Sequence, residues 1–133
     1  MRAEIEYKDG LIYTFIKLTH ENNTVIVDNV IIDTGAFHTI ITTDFLEELG
    51  AEFSNEDKLI EATGYGGATS YAVRKEIDGI MCGDIKLSDF KIDFGEIDPN
   101  ERVNGLLGLD FLMKAELVLD LVNLVMYNKK LDA

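Results

Sequence analysis

Short segments rich in β-branched and aromatic residues follow one another along almost the whole chain, with turn residues between them. Such residues favour strands, whereas Gly, Asn and Asp favour turns. The clearest strand segments are 11–18, 24–27, 30–32, 59–63, 70–73, 90–94, 117–121 and 124–127. Two short helices are expected, one capped by Asp44 and ended by Gly50, the other running from Asp110 to Ala115. The pattern predicts an all-β barrel or sandwich with small helical insertions.

The composition limits the partners that such a chain can have. Of the 133 residues, 47% are hydrophobic, which is enough to bury one core. No linker or low-complexity segment interrupts the chain, so a single domain spanning 1–133 is expected. Lys and Arg number 12 against 25 Asp and Glu, which gives a net charge of −13. A nucleic acid or an anionic membrane surface is therefore not an expected partner.

The sequence also constrains covalent cross-links and location. Cys82 is the single cysteine, so a disulfide within the chain is excluded. The first residues carry charges where a signal peptide has an apolar stretch, and no apolar run approaches the ~20 residues of a membrane span. A soluble, cytoplasmic protein is expected.

The residues that follow the apolar run 30–32 are the strongest candidate for chemistry. Asp33 follows this run directly, and Thr34 and Gly35 come next. A carboxylate here sits where the strand leaves the core, the hydroxyl can hold neighbouring groups, and glycine permits close backbone approach. Taken alone, the tripeptide favours a local turn, in which Asp33 bonds nearby backbone, over a catalytic site.

The context of this tripeptide changes that balance. Two strand segments flank Gly64-Tyr65-Gly66-Gly67, which is expected to form the flexible tip of a hairpin or an ordinary glycine-rich turn. The stretch Leu106-Leu107-Gly108 follows, then a short helix and a closing hairpin. Taken in this order after Asp33-Thr34-Gly35, these features resemble the retroviral-type (retropepsin-like) aspartic proteases and their single-lobe bacterial and archaeal relatives. The resemblance covers roughly residues 11–128.

The resemblance implies a closed acid-protease-type β-barrel lobe with a flap hairpin and one or two short helices. It also implies an aspartic endopeptidase that needs no cofactor and no metal. Asp33 matches the catalytic aspartate. Thr34 matches the residue whose hydroxyl braces the active-site loop across the subunit interface, Gly35 matches the glycine whose carbonyl docks substrate backbone, and Ala36 belongs to the same supporting loop.

Two further groups of residues carry family roles by this resemblance. The flap that closes over a bound peptide corresponds to Gly64, Tyr65, Gly66 and Gly67. The apolar element that packs under the active-site loop corresponds to Leu106, Leu107 and Gly108. The sequence departs from the viral pattern at Phe37 and His38, where acidic residues would grip the substrate backbone, and in the polar segment 128–133, where the viral enzymes have an interdigitated terminal strand.

The chemistry of this family predicts a homodimer. Water attack on a peptide bond needs two carboxyls about 3 Å apart that share one proton, because like charges so close cannot both ionise. The chain has a single Asp-Thr-Gly, so two copies related by a two-fold axis would each supply Asp33. Two alternatives stay open: a catalytically silent peptide-binding or dimerisation module on the same fold, and a monomeric barrel whose tripeptide is only a turn.

Other chemistry-bearing residues have ordinary interpretations. His20 and His38 are too few for a zinc site, and Cys82 has no partner at ligand spacing. Asp110 is expected to cap a helix rather than to act as a second acid. Cys82, in an apolar segment, is expected to be a buried thiol.

Overall fold

The computed structural model describes residues 2–63, 69–97 and 102–128. These residues form eleven strands and two short helices. The strands are β1 (Arg2–Glu4), β2 (Glu6–Lys8), β3 (Leu11–His20), β4 (Asn23–Ile32), β5 (Ile40–Ile41), β6 (Lys58–Thr63), β7 (Thr69–Cys82), β8 (Ile85–Gly95), β9 (Gly105–Leu107), β10 (Leu117–Asp120) and β11 (Val125–Asn128). The helices are α1 (Thr43–Glu48) and α2 (Leu109–Lys114). None of the helices in the described part of the chain is long and apolar enough to cross a lipid bilayer.

Six of these strands close into a barrel. The larger sheet has the order β2-β3-β4-β9-β5-β8-β7-β6, and an added β3–β7 pairing joins its two halves. Strands β6 and β7 form a hairpin whose register runs from Lys58↔Arg74 to Thr63↔Thr69. The predicted closed β-barrel with two short helices is confirmed. The expected flap residues 64–67 lie outside the described residues.

The sheet around β9 has two faces with different surroundings. Ile32 pairs with Leu107, and Ile41 pairs with Phe94; all four side chains are buried in the core. On the opposite face, the register forms one continuous row across six strands. This row consists of Ile31, Leu106, Ile40, Asp93, Arg74 and Lys58. Cross-strand partners point to the same side of a sheet, so these six side chains share one face.

Three local features differ from the sequence-based expectation. Segments 24–27 and 30–32 form one strand, because Asn29 takes a positive φ of 51° and the pairing with β3 shifts there instead of turning. Helix α1 has Thr42 rather than Asp44 at its N-cap, and Asp44 lies in the first turn. Strand β1 pairs with β11 and β11 with β10, so both ends of the described chain meet in a separate three-stranded sheet.

Candidate active site

Asp33 lies where β4 ends, at the centre of the sheet. The Asp33 N–H donates to the carbonyl of Leu107 at 3.0 Å, which continues the parallel β4–β9 ladder by one residue. Side chains alternate along a strand, so the Asp33 carboxylate points to the face of Ile31 and away from the core residue Ile32. The carboxylate is partly exposed on the same face as the row from Ile31 to Arg74.

The loop that follows holds this carboxylate in place. The Gly35 N–H donates to Asp33 Oδ1 at 2.8 Å, and the Ala36 N–H donates to the Asp33 carbonyl at 3.2 Å. A Cβ added to Gly35 would lie 3.1 Å from Asp33 Oδ1, so a larger residue would push the carboxylate aside. The local turn that the tripeptide favours on its own is therefore present, and it is what orients the acid.

A buried hydrogen-bond network ties this loop to helix α2. The Thr39 side chain is fully buried; its hydroxyl donates to Asp110 Oδ1 at 2.7 Å and accepts the Gly108 N–H at 3.1 Å. The Thr39 N–H donates to Asp110 Oδ2 at 2.9 Å. We call Thr39, Gly108 and Asp110 the loop strap. Gly108 packs so tightly against the loop that a Cβ there would lie 2.8 Å from the Ala36 carbonyl oxygen.

The loop strap alters the expectation for Asp110. The N-cap of α2 is Gly108, which makes no side-chain cap bond, and Asp110 lies inside the first turn. Its carboxylate accepts from Thr39 and from the Phe111 N–H at 2.8 Å. Asp110 therefore joins helix α2 to the loop at Thr39, 71 residues earlier in sequence, and Thr39 is a site residue that the sequence-based interpretation missed.

The two leucines of the apolar element have different positions. Leu107 is fully buried beneath the loop and supplies the carbonyl that receives the Asp33 N–H. Leu106 lies on the other face, paired with Ile31 and Ile40, and is partly exposed beside Asp33. The pair thus supports the loop with one side chain and lines its open face with the other.

Comparison with known proteins places this arrangement in a family. A family model described as aspartyl protease matches residues 16–111, which include Asp33, the loop strap and β7–β8. The chain belongs to the aspartyl protease family. Among curated proteins no match was found.

Solved structures show the same fold. A retropepsin-like aspartic protease from Rickettsia conorii matches with a TM-score of 0.65 and 19% identity, covering 96% of this chain and 98% of that one. The retroviral protease-like domain of Ddi1 from Leishmania major matches with a TM-score of 0.62 and 16% identity, covering 90% and 88%. This aspartyl protease family member therefore has the retropepsin-like fold over nearly its whole length.

The surface beside the loop is apolar. Thr34 is exposed and borders a groove of about 350 Å³ between the active-site loop, α2 and β10. The apolar lining consists of Leu109, Leu112, Met113, Leu117 and Leu119. Met113 is 69% exposed, so this apolar side chain has most of its surface uncovered in the isolated chain.

Phe37 and His38 lie on the outer side of the loop. Phe37 is 65% exposed, and its ring meets the His38 ring edge to face with centroids 4.6 Å apart. His38 Nδ1 lies 4.0 Å from Asp110 Oδ2, next to the loop strap. The described residues contain no cluster of His, Cys, Asp and Glu arranged to hold a metal ion.

Arg74 and Asp93 form an ion pair on the sheet face that Asp33 shares with Ile31, on strands β7 and β8. Arg74 Nε donates to Asp93 Oδ1 at 2.7 Å, and Nη2 donates to Oδ2 at 3.1 Å. The two side chains are 19% and 9% exposed. The hydrogen bond to Asp93 raises the pKa of Arg74, as do the charges of Asp93 and Asp110, against an opposing effect of burial. The sequence-based interpretation did not identify this pair.

Proposed function

We propose that this chain is an aspartic endopeptidase that is active as a homodimer. The observation that carries the proposal is the held carboxylate of Asp33: it is oriented by the Gly35 N–H, anchored through Leu107 and backed by the loop strap. Turns that merely reverse the chain do not need a buried brace from a helix 71 residues away. Such rigid support is what a reacting group requires.

The proposed reaction uses two copies of Asp33. One carboxyl, protonated, donates to the carbonyl oxygen of the scissile peptide bond while the other, ionised, takes a proton from the attacking water. The oxygen of that water bonds to the carbonyl carbon and gives a gem-diol. One Asp33 carboxylate then takes a proton from a diol hydroxyl while the other carboxyl protonates the amide nitrogen, so the C–N bond breaks and an acid and an amine leave. A single chain offers only one such carboxylate at the loop, so a second copy completes the pair.

The surface next to Asp33 supports self-association. Met113 and Thr34, the residue that follows Asp33 in sequence, are exposed and line the apolar groove. Covering this groove with a second copy would remove apolar surface from water, which favours association by about 25 cal/mol per Å². Repulsion between two chains of net charge −13 opposes it and is weakened by salt.

The test replaces Asp33 with Asn. Asparagine keeps an oxygen for the Gly35 N–H but cannot exchange a proton, so the fold and the dimer are expected to persist while cleavage of a peptide library falls below detection. Equal cleavage by wild type and Asp33→Asn would refute the proposal. Peptide binding without any turnover by the wild type, at acid and neutral pH, would instead favour a silent peptide-binding module.

A further inference from the structure

The sheet face that Asp33 shares with Ile31 changes from apolar to charged along its row of cross-strand partners. Ile31, Leu106 and Ile40, the three positions nearest Asp33, are apolar and partly exposed. The next two positions are Asp93 and Arg74. An extended peptide lying across this face from Asp33 would therefore meet an apolar surface first and an ion pair after it.

The guanidinium of Arg74 has unused donors. An arginine has five N–H groups, and the pairing with Asp93 uses one on Nε and one on Nη2. Nη1 has no hydrogen-bond partner in the part of the chain that the structure describes. Arg74 also lines an open groove of about 1240 Å³ together with His38 and Asp110, so a ligand can reach it.

The oxygen atoms around Arg74 are already engaged. Both oxygens of Asp93 accept from Arg74, and both oxygens of Asp110 accept from Thr39. Lys58 is the next position of the row after Arg74, so these two carboxylates and the two cations sum to a formal charge of zero. A substrate carboxylate on Arg74 would lie beside the Asp93 carboxylate that already pairs with it, and a lysine ammonium would lie beside two cations.

We infer that Arg74 and Asp93 form a specificity subsite for an uncharged amide side chain, glutamine or asparagine, of a bound peptide. The amide oxygen accepts from the free N–H groups of Arg74, and the neutral group adds no charge to the ion pair. This inference rests on the proposed function and names the substrate class of that same site. Arg74 is a specificity residue, and it takes no part in bond cleavage.

The position of the subsite follows from the strand spacing. Asp93 and Arg74 are three and four strands from Ile31, about 14 and 19 Å across the sheet at about 4.8 Å per strand. An extended peptide advances about 3.3 Å per residue, so the subsite is reached about four to six residues from the scissile bond.

The experiment profiles a library of ten-residue peptides with randomised positions. Wild-type protein is used for cleavage, read by mass spectrometry of the products, and Asp33→Asn protein for peptide capture. The expected result is enrichment of Gln and Asn at one position about four to six residues from the scissile bond. In matched peptides, Gln is expected to exceed Leu, Glu and Lys about ten-fold in kcat/KM, the worth of one hydrogen bond to a charged donor.

Two variants assign the preference to the ion pair. Arg74→Leu/Asp93→Leu removes the pair together and is expected to lose the ten-fold preference or reverse it towards Leu. Arg74→Lys keeps an ion pair but lacks the guanidinium fork, and it is expected to lose the preference without unfolding. The matched control is Asp57→Leu/Lys75→Leu. In that ion pair Lys75 is 10% and Asp57 7% exposed; the Lys75 side chain projects from the opposite face of β7, so the variant is expected to leave the preference unchanged.

The outcomes separate the two proposals. Absence of amide enrichment, or equal enrichment in the Arg74→Leu/Asp93→Leu and Arg74→Lys variants, overturns the subsite while leaving the endopeptidase intact. Amide-selective capture by Asp33→Asn protein without cleavage by the wild type supports the subsite and overturns the endopeptidase. Neither cleavage nor capture overturns both.

Discussion

The loop strap gives a prediction whose size follows from its hydrogen bonds. Thr39→Val keeps the β-branched shape and removes one hydroxyl, which donates to Asp110 and accepts from Gly108. A buried N–H left without an acceptor costs about 1–3 kcal/mol, and losing a hydrogen bond to a carboxylate costs about 1.5–3 kcal/mol. The added methyl group recovers about 0.8 kcal/mol by burial. The net loss expected in the free energy of unfolding is about 3 kcal/mol.

Urea unfolding measures this loss. For a slope of about 2 kcal/mol per molar, the midpoint of Thr39→Val is expected about 1.5 M below that of the wild type. A loss of this size is a large fraction of the ~5–15 kcal/mol that stabilises an ordinary domain. Both proteins are compared at one concentration, because self-association would add to the apparent stability.

The matched control is Thr14→Val. Thr14 is also a buried threonine, but its hydroxyl makes weaker contacts: 3.3 Å to the Glu4 carbonyl, 3.5 Å to the Phe15 carbonyl and 3.4 Å to the sulfur of Cys82, a weak hydrogen-bonding group. We expect its midpoint to fall by less than about 0.5 M, corresponding to less than about 1 kcal/mol. Equal shifts of the urea midpoint for Thr39→Val and Thr14→Val would refute the idea that the loop strap anchors the loop that follows Asp33.

Other consequences of the structure can be tested directly. Gly108→Ala is expected to displace the loop and reduce peptide cleavage at least ten-fold, because its Cβ would lie 2.8 Å from the Ala36 carbonyl oxygen; unchanged cleavage would contradict this. Met113→Glu is expected to weaken the proposed dimer about ten-fold in sedimentation, whereas Ile26→Glu, at a similarly exposed apolar position on β4, is expected to leave self-association unchanged. Dimer and activity are expected to rise with added salt or at mildly acid pH, and a steady fall with salt would contradict the repulsion argument. Burial raises the pKa of Cys82, so the thiol of the folded protein is expected to resist alkylation at pH 8.5 until urea unfolds the chain. The contribution of this thiol to stability is expected to be lost only as the pH rises above 9.0, the pKa of the thiol in the unfolded chain.

Features encoded by neighbouring residues could be predicted from the sequence. The strand segments, the two helices and the Asp33-Thr34-Gly35 turn each depend on a few consecutive residues, and the order of these features indicated the fold. The same local rule predicts a turn at Asp28 and Asn29, between the segments 24–27 and 30–32, whereas Asn29 takes a positive φ within one bulged strand. The pairing of β3 with residues on both sides of Asn29 keeps the segment a single bulged strand rather than a turn.

Features that depend on register could not be predicted. The local rule made Asp110 a helix cap, because nothing near it in sequence shows that Thr39 will lie within 2.7 Å. Arg74 and Asp93 become neighbours only through the β7–β8 register. An isolated arginine and an isolated aspartate in amphipathic strands give no signal that they share the face of Asp33.

The insertion of β9 between β4 and β5 has a consequence for folding during synthesis. The strands on either side of Asp33 are made early, yet the partner of its backbone, Leu107, and the brace Asp110 follow some seventy residues later. A nascent chain that has emerged only as far as β8 therefore contains Asp33 but lacks Leu107 and Asp110, which hold its loop in place. Long-range pairing of this kind closes late and slowly. The Asp33 carboxylate is therefore fixed in place only after β9 and α2 have been synthesised, and a shorter nascent chain lacks the geometry that the proposed peptidase activity requires.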